Sequence, residues 1–357
     1  MNTISLCMIV RDEEQTLERC LRSAAPIADE IVLVDTGSVD KTVEIAEKYT
    51  NRIYHFDWID DFAAARNFAF DQARSDYCLW LDADDVLPQA SVREIKRLKS
   101  EMPPDTDVVM MPYHVGFDPS GAPTFTYYRE RLIRRAAGLR WIGAVHEVIT
   151  PQGKVLYSTA AVEHHKEKPP EPGRNRRIFE KMMAQGQSLD ARQQLYYARE
   201  LLEAGEAACA APLFEALIAQ KEAWAPNRID ACVQLSACFQ RLGQREKALS
   251  PLLQALRFAP PRAELCCQIG NWFLDDGQPK TAAFWYQAAL NCPDDSREGG
   301  FSTPDCRGYI PLMQLCVCYD RMGNTREAAQ YNERAGALKP QSEAYLQNVQ
   351  YFKNKGM

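Results

Sequence analysis

No run in this 357-residue chain approaches the ~18 apolar residues of a membrane-spanning helix. Basic charge is not in excess either. The 42 Lys and Arg are outnumbered by 48 Asp and Glu, for a net charge of −6, whereas a nucleic-acid partner would need a basic face. No secretory leader is expected, because Met1-Asn2-Thr3 leads into the short run Ile4–Val10 and then Arg11-Asp12-Glu13-Glu14. The 12 cysteines include no CxxC pair with a second half at zinc-ribbon spacing. Settings such as Leu265-Cys266-Cys267-Gln268 and Leu315-Cys316-Val317-Cys318 suit reduced, buried thiols in a cytoplasmic protein. Neither GxGxxG nor GxxxxGK[ST] occurs, so dehydrogenase and P-loop kinase readings lack their motifs.

What is present is organised around Tyr77–Leu87. An apolar run, Tyr77 to Leu81, stops in Asp82, Asp84 and Asp85. A buried strand ending in carboxylates delivers them to the carboxyl edge of a sheet, where open α/β folds bind ligands. Carboxylates one residue apart suit a hard divalent cation that can also hold phosphate oxygens. The upstream sequence supplies the rest of such a sheet. Strands are expected at Ile4–Val10, Glu30–Asp35 and Arg52–Phe56, with helices from Arg11 to about Ala25, from Asp40 to Tyr49 and from Phe62 to Ala73. This alternation implies parallel βαβ units and brings Arg11, Asp35, Asp82 and Asp84 to one edge. There Asp35 can accept from a base or ribose, the Thr36-Gly37-Ser38 turn lets backbone approach closely, and Arg66 and Asn67 can reach a diphosphate or sugar hydroxyls.

Four ordered motifs now carry a resemblance: Ile9-Val10-Arg11-Asp12-Glu13-Glu14, Val34-Asp35-Thr36-Gly37-Ser38-Val39-Asp40-Lys41-Thr42, Ala65-Arg66-Asn67 and Trp80-Leu81-Asp82-Ala83-Asp84-Asp85. Together they resemble family 2 glycosyltransferases with the GT-A fold, over about residues 1–170. The resemblance implies a nucleotide-sugar donor such as UDP-glucose or UDP-GlcNAc, a Mg2+ or Mn2+ ion on the Asp-x-Asp motif, and inversion at the anomeric carbon. It assigns Val10, Arg11, Glu13, Asp35, Gly37, Arg66, Asn67, Asp82 and Ala83 to the nucleotide sugar. Asp84 and Asp82 would serve the metal, with Asp85 assisting the metal or the residues that surround its ligands.

Strands are also expected at Val108–His114 and Phe125–Ile133, followed by Trp141-Ile142-Gly143-Ala144-Val145-His146-Glu147. Inverting transfer needs a base for the acceptor's proton. The usual family pattern has an acid pair here, whereas this chain resembles a subgroup with a Trp-x-Gly-x-Val-His-Glu signature. Glu147 ranks first as base and His146 second. In Val162-Glu163-His164-His165-Lys166 a histidine resembles the third metal ligand of many GT-A enzymes. His164 fits the strand alternation better than His165, and imidazole suits Mn2+ beside carboxylates.

Glu167 to Gly173 is rich in Pro and charge and reads as a domain boundary; a linker and helix are expected over 171–190. Repeats then follow over 191–357. Gly205, Gly243, Gly277 and Gly323 are each followed five residues later by Ala210, Ala248, Ala282 and Ala328, and Gly243 to Gly277 is 34 residues. This is the tetratricopeptide (TPR) period, with about four repeats and a loop insertion at Asp294–Asp305. Such solenoids present grooves to peptides, so a peptide or protein acceptor, or homodimer pairing, can use this half. The pairing of the two halves resembles peptide and protein glycosyltransferases, including bacteriocin S-glycosyltransferases, and also enzymes of surface polysaccharides. The function expected is metal-dependent inverting transfer from a nucleotide sugar to a peptide, protein or glycan. The alternatives are a non-catalytic nucleotide-sugar sensor on a repeat scaffold and a nucleotidyltransferase.

Overall fold

The computed structural model describes residues 1–168, 171–294 and 296–356. Pro169 and Pro170, at the expected boundary, and Asp295, in the expected insertion, lie outside the described residues. The chain divides into two compact units, Met1–Leu189 and Asp190–Met357.

In the first unit β1 (Ile4–Val10), α1 (Leu17–Ala24), β2 (Glu30–Asp35), α2 (Thr42–Ala46), β3 (Ile53–His55), α3 (Phe62–Gln72) and β4 (Tyr77–Trp80) alternate along the chain. Next come β5 (Asp85–Val86), α4 (Gln89–Glu101), β6 (Val108–Phe117), β7 (Pro123–Arg134), β8 (Val155–Tyr157), β9 (Val162–His164) and α5 (Arg174–Ala184). The strands form one mixed sheet in the order β3-β2-β1-β4-β7-β6-β9-β5, with β8 on β6. The first four strands in that order are mutually parallel, and β7 joins β4 antiparallel. Side-chain alternation makes the sheet two-faced. Leu6, Met8, Leu33 and Leu79 pack with Leu17 and Leu21 of α1 and with Ile95 and Leu98 of α4. Cys7, Val32, Val34, Cys78 and Trp80 pack on the other face with Ala63, Ala69 and Phe70 of α3. This is the α/β GT-A architecture.

One expected element is shorter than its pattern. The helix expected from Arg11 begins only at Leu17. Asp12 takes a left-handed φ of 55°, and the N–H groups of Asp12, Glu13 and Glu14 donate to the side chains of Ser38, Thr42 and Asp40. The segment after β1 is therefore a loop tied to the loop after β2.

The second unit holds, among the described residues, α6 (Ala191–Glu203), α7 (Ala207–Ala219), α8 (Ala225–Arg241), α9 (Arg245–Ala255), α10 (Ala263–Asp275), α11 (Pro279–Leu290), α12 (Tyr309–Arg321), α13 (Thr325–Leu338) and α14 (Glu343–Asn354). The first eight form four successive pairs. Each pair turns at one of the four repeat glycines, whose φ values of +70° to +85° only glycine adopts cheaply. The alanine five residues on is fully buried in every copy, because a larger side chain would hold the paired helices apart. This is an all-α tetratricopeptide-repeat solenoid. The stretch between α11 and α12 contains two single turns of 3-10 helix, Ser296–Glu298 and Pro304–Arg307.

Candidate active site

The parallel strands β1 and β2 end together, with Val10 directly beside Asp35, and β4 ends at Trp80 beside Cys7, so that Asp82 follows at the same edge. Asp35 accepts hydrogen bonds from the N–H groups of Gly37 (3.2 Å) and Ser38 (3.1 Å), so its carboxylate shapes the turn that follows it. Gly37 has a φ of 104°, and no atom lies within 4 Å of where a Cβ would sit; backbone conformation alone requires glycine here. The Val10 carbonyl accepts from both the N–H and the hydroxyl of Thr36. Arg11 is exposed and lies 4.0 Å from Asp12. Glu13 accepts from the Thr16 hydroxyl at 2.6 Å, and burial holds its carboxyl above the usual range.

Beside this edge, Arg66 bridges two acids. It lies on α3, and its Nε donates to Glu147 Oε1 and its Nη2 to Asp82 Oδ1, each at 2.6 Å. The guanidinium sits 4.8 Å from the Trp80 ring centroid and 5.0 Å from that of Trp141, so two indoles hold it. Burial pushes the Asp82 carboxyl up, but the charges of Arg66 and Arg131 outweigh it and bring it down to about 2. Arg66, in turn, stays protonated between two carboxylates.

A second cluster forms where β5 pairs antiparallel with β9, which sets Asp85 opposite His164. His164 Nδ1 lies 3.3 Å from Asp84 Oδ1 and 3.2 Å from Asp85 Oδ1. One ligand atom from each of Asp84, Asp85 and His164 falls within 4.8 Å of the others. Burial lowers the His164 pKa, but the two carboxylates reverse that and push it up to about 10. A proton held so firmly marks a net negative site that a cation would also satisfy. Carboxylate oxygens with one imidazole fit Mg2+ or Mn2+ in donor type. His165 points elsewhere: its ring stacks on Phe117 and its Nε2 meets Glu163 at 2.9 Å.

The loop carrying Glu147 is closed by paired hydrogen bonds between Ile142 and Val148. Gly143 (φ 94°) and His146 (φ 52°) make its turns. Asn67 secures the start of the loop by exchanging both amide bonds with the Trp141 backbone, each at 3.0 Å.

The structure thus brings Asp82, Arg66 and Glu147 together, and Asp84 together with Asp85 and His164. Three of the expected residues face protein groups. Asp82 faces Arg66 and stands outside the three-residue cluster, because the guanidinium takes its Oδ1. Asn67 is committed to backbone rather than turned to a ligand. His146 lies along α5, its ring over Phe179 and its Nε2 3.5 Å from Asn175, which leaves Glu147 as the member of the pair beside Arg66. Ala83 is buried between the acids. Sequence reasoning missed Arg131 and Tyr113, which hold Asp85 at 3.0 Å and 2.8 Å. The visible trace was a charged residue, Arg131, inside a strand that also carries Leu132 and Ile133.

Residues 5–150 match the model of the family described as Glycosyl transferase family 2. The first unit carries a family 2 glycosyltransferase domain. Over 164 residues the chain is 30% identical to the lipopolysaccharide core biosynthesis glycosyltransferase LpsC of Rhizobium meliloti, covering 43% of this chain and 58% of that one. It is 27% identical over 150 residues to the SPbeta prophage-derived glycosyltransferase SunS of Bacillus subtilis, covering 41% and 34%. A TPR repeat-containing protein of Synechococcus elongatus is 51% identical over 87 residues, covering 24% of this chain and 22% of that protein. The chain therefore spans less than two thirds of each of these curated relatives. Among solved structures, Pseudomonas aeruginosa pilF superposes with a TM-score of 0.40 at 15% identity, covering 52% of this chain and 74% of that one. No helix among the described residues is long and apolar enough to cross a membrane.

Proposed function

We propose that the protein is an inverting, Mg2+- or Mn2+-dependent glycosyltransferase that moves a sugar from a UDP-sugar to a hydroxyl or thiol of a peptide, protein or glycan. One observation carries this reading. The Asp84–Asp85–His164 cluster after β4 is joined through Asp82 and Arg66 to Glu147, an acid able to serve as an acceptor base. Asp35 and the Gly37 turn would receive the nucleoside. Asp84 and His164 would hold the ion, which supplies positive charge to the leaving diphosphate. Glu147 would take the acceptor proton, and Arg66, through its bond to Oε1, would keep that carboxylate aimed. The repeat unit would recruit the acceptor, since TPR solenoids present extended concave surfaces.

The test is a thermal-shift panel of nucleotide sugars with and without Mn2+, followed by product analysis with the donor that stabilises. A Mn2+-dependent shift and release of UDP are expected, and Asp84→Asn should lose the shift while melting normally without ligand. Release of pyrophosphate, or no shift with any nucleotide sugar, would overturn the reading.

A further inference from the structure

We infer that Asp85 is not a ligand of the cation but the positioning residue that presents His164 to it, held for that task by Tyr113 and Arg131. The inference rests on the metal-dependent reading above. An ionised carboxylate has about four lone-pair sites. In Asp85 all four are taken. Oδ1 accepts from the Tyr113 hydroxyl at 2.8 Å and lies 3.2 Å from His164 Nδ1. Oδ2 accepts from Arg131 Nη1 and from the Asp82 N–H, each at 3.0 Å. The side chain is 0% exposed, so giving up the Tyr113 or the Asp82 N–H bond to coordinate an ion would leave a buried donor unpaired.

Arg131 supplies the opposite charge beside that carboxyl. It is equally buried, and its guanidinium lies 3.7 Å from the Trp80 centroid and 4.2 Å from that of Tyr113. Among the described residues its Nε and Nη2 have no hydrogen-bond partner, so the aromatic faces, the Trp80 carbonyl (3.2 Å from Nη1) and Asp85 are what this cation answers to. Asp84 differs in exposure and in its bonds: its side chain is partly exposed, and its Oδ1 lies 3.3 Å from the same His164 Nδ1, a single contact it can give up to turn toward an ion.

The arrangement has a consequence for the imidazole. With Asp85 accepting the Nδ1 proton, the lone pair of His164 is on Nε2, and that nitrogen would be the one offered to a metal, a carboxylate–histidine–metal pattern. The three acids then divide the work: Asp82 serves Arg66, Asp84 the ion, and Asp85 the orientation of His164.

Two measurements on the full chain test this. Mn2+ binding in the presence of UDP is followed by the loss of the free-ion EPR signal. Tyr113→Phe removes one of the four bonds to Asp85 and touches no ligand; Mn2+ affinity should fall about 10-fold or more. Separately, 15N-histidine NMR of the Mg2+- and UDP-loaded wild type reads the tautomer directly. With 5 histidines in the chain, His164→Gln identifies the relevant signals, which should show a protonated Nδ1. Unchanged Mn2+ affinity in folded Tyr113→Phe, or a proton on Nε2 with the metal at Nδ1, would overturn the positioning role and leave the metal site standing. No Mn2+ binding by the wild type with UDP would remove the metal reading itself.

Discussion

Replacing Arg66 by Met removes one cation from between two acids and leaves a side chain of similar length among the same indoles. Arg66 is 8% exposed, Glu147 12% and Asp82 34%. Breaking a buried ion pair by deleting one partner costs about 3–5 kcal/mol, because the remaining charge is stranded. Here Asp82 can rehydrate and Glu147 much less so, which argues for the lower end, about 3 kcal/mol. The Asp82 carboxyl supplies a partial check. Its fall from 3.8 to about 2 corresponds to roughly 2 kcal/mol, shared by Arg66 with Arg131 and His164, and its one-third exposure reduces the total to about 1. The remainder falls on Glu147 and on the lost guanidinium–indole contacts. The sign of the pH dependence follows from a depressed folded-state value. The Asp82 contribution is present above about pH 4 and fades as pH falls through about 2. Arg66→Met should therefore be less stable at pH 7 and flatter between pH 4 and pH 2. Because the chain has two units, the readout must be local: hydrogen exchange by mass spectrometry on peptides covering residues 62–86. A difference under about 0.5 kcal/mol at pH 7, or an unchanged slope below pH 4, would refute the idea that this guanidinium neutralises both acids.

Two other substitutions test separate parts of the molecule. Glu147→Gln can still accept from Arg66 but cannot take a proton, so transfer should fall about 10^2–10^4-fold while the donor-dependent thermal shift remains; unimpaired transfer would remove Glu147 as base. Gly270→Ala places a Cβ 2.8 Å from the buried Tyr286 ring, whose hydroxyl is held by Asn271 at 2.6 Å. Overpacking of about 1–3 kcal/mol should exceed the ~1 kcal/mol gained in helix propensity, lowering the melting temperature of the repeat unit by circular dichroism. A rise would mean the ring is free to move.

The parts of the fold legible in the sequence were those decided by near neighbours. Ile4–Val10 and Glu30–Asp35 form strands over the expected residues, because runs of buried β-branched and apolar side chains specify a central parallel strand without help from elsewhere. The repeat glycines were equally plain, since a left-handed turn at a fixed offset from a small residue is a local demand. The start of α1 was not legible. Arg11 to Thr16 carries helix-compatible residues, and what keeps it open are side chains 26 to 29 positions away, at Ser38, Asp40 and Thr42.

The same limit applies at the site, where three chemically alike acids stand within four residues. Spacing identifies Asp82, Asp84 and Asp85 as a carboxylate cluster but cannot rank them, because what separates them is what each one faces. Asp82 meets a guanidinium from a helix 16 residues upstream. Asp85 meets Arg131 and His164, 46 and 79 residues downstream. Asp84 retains a partly exposed carboxylate beside His164. An Asp-x-Asp-Asp run read alone invites the assumption that the two acids flanking one residue act as a pair on the metal. The hydrogen bonds point to a different grouping, in which the first acid belongs to the arginine bridge toward Glu147, the last is saturated inside the protein, and the middle one stays available to a cation. If that grouping is right, charge-neutral substitutions at the three positions should fail in three different ways: Asp82→Asn by loosening Arg66 and Glu147, Asp84→Asn by losing the ion, and Asp85→Asn by unfolding the β5–β9 pairing around Arg131. Three identical phenotypes would mean the acids act as one metal-binding set after all.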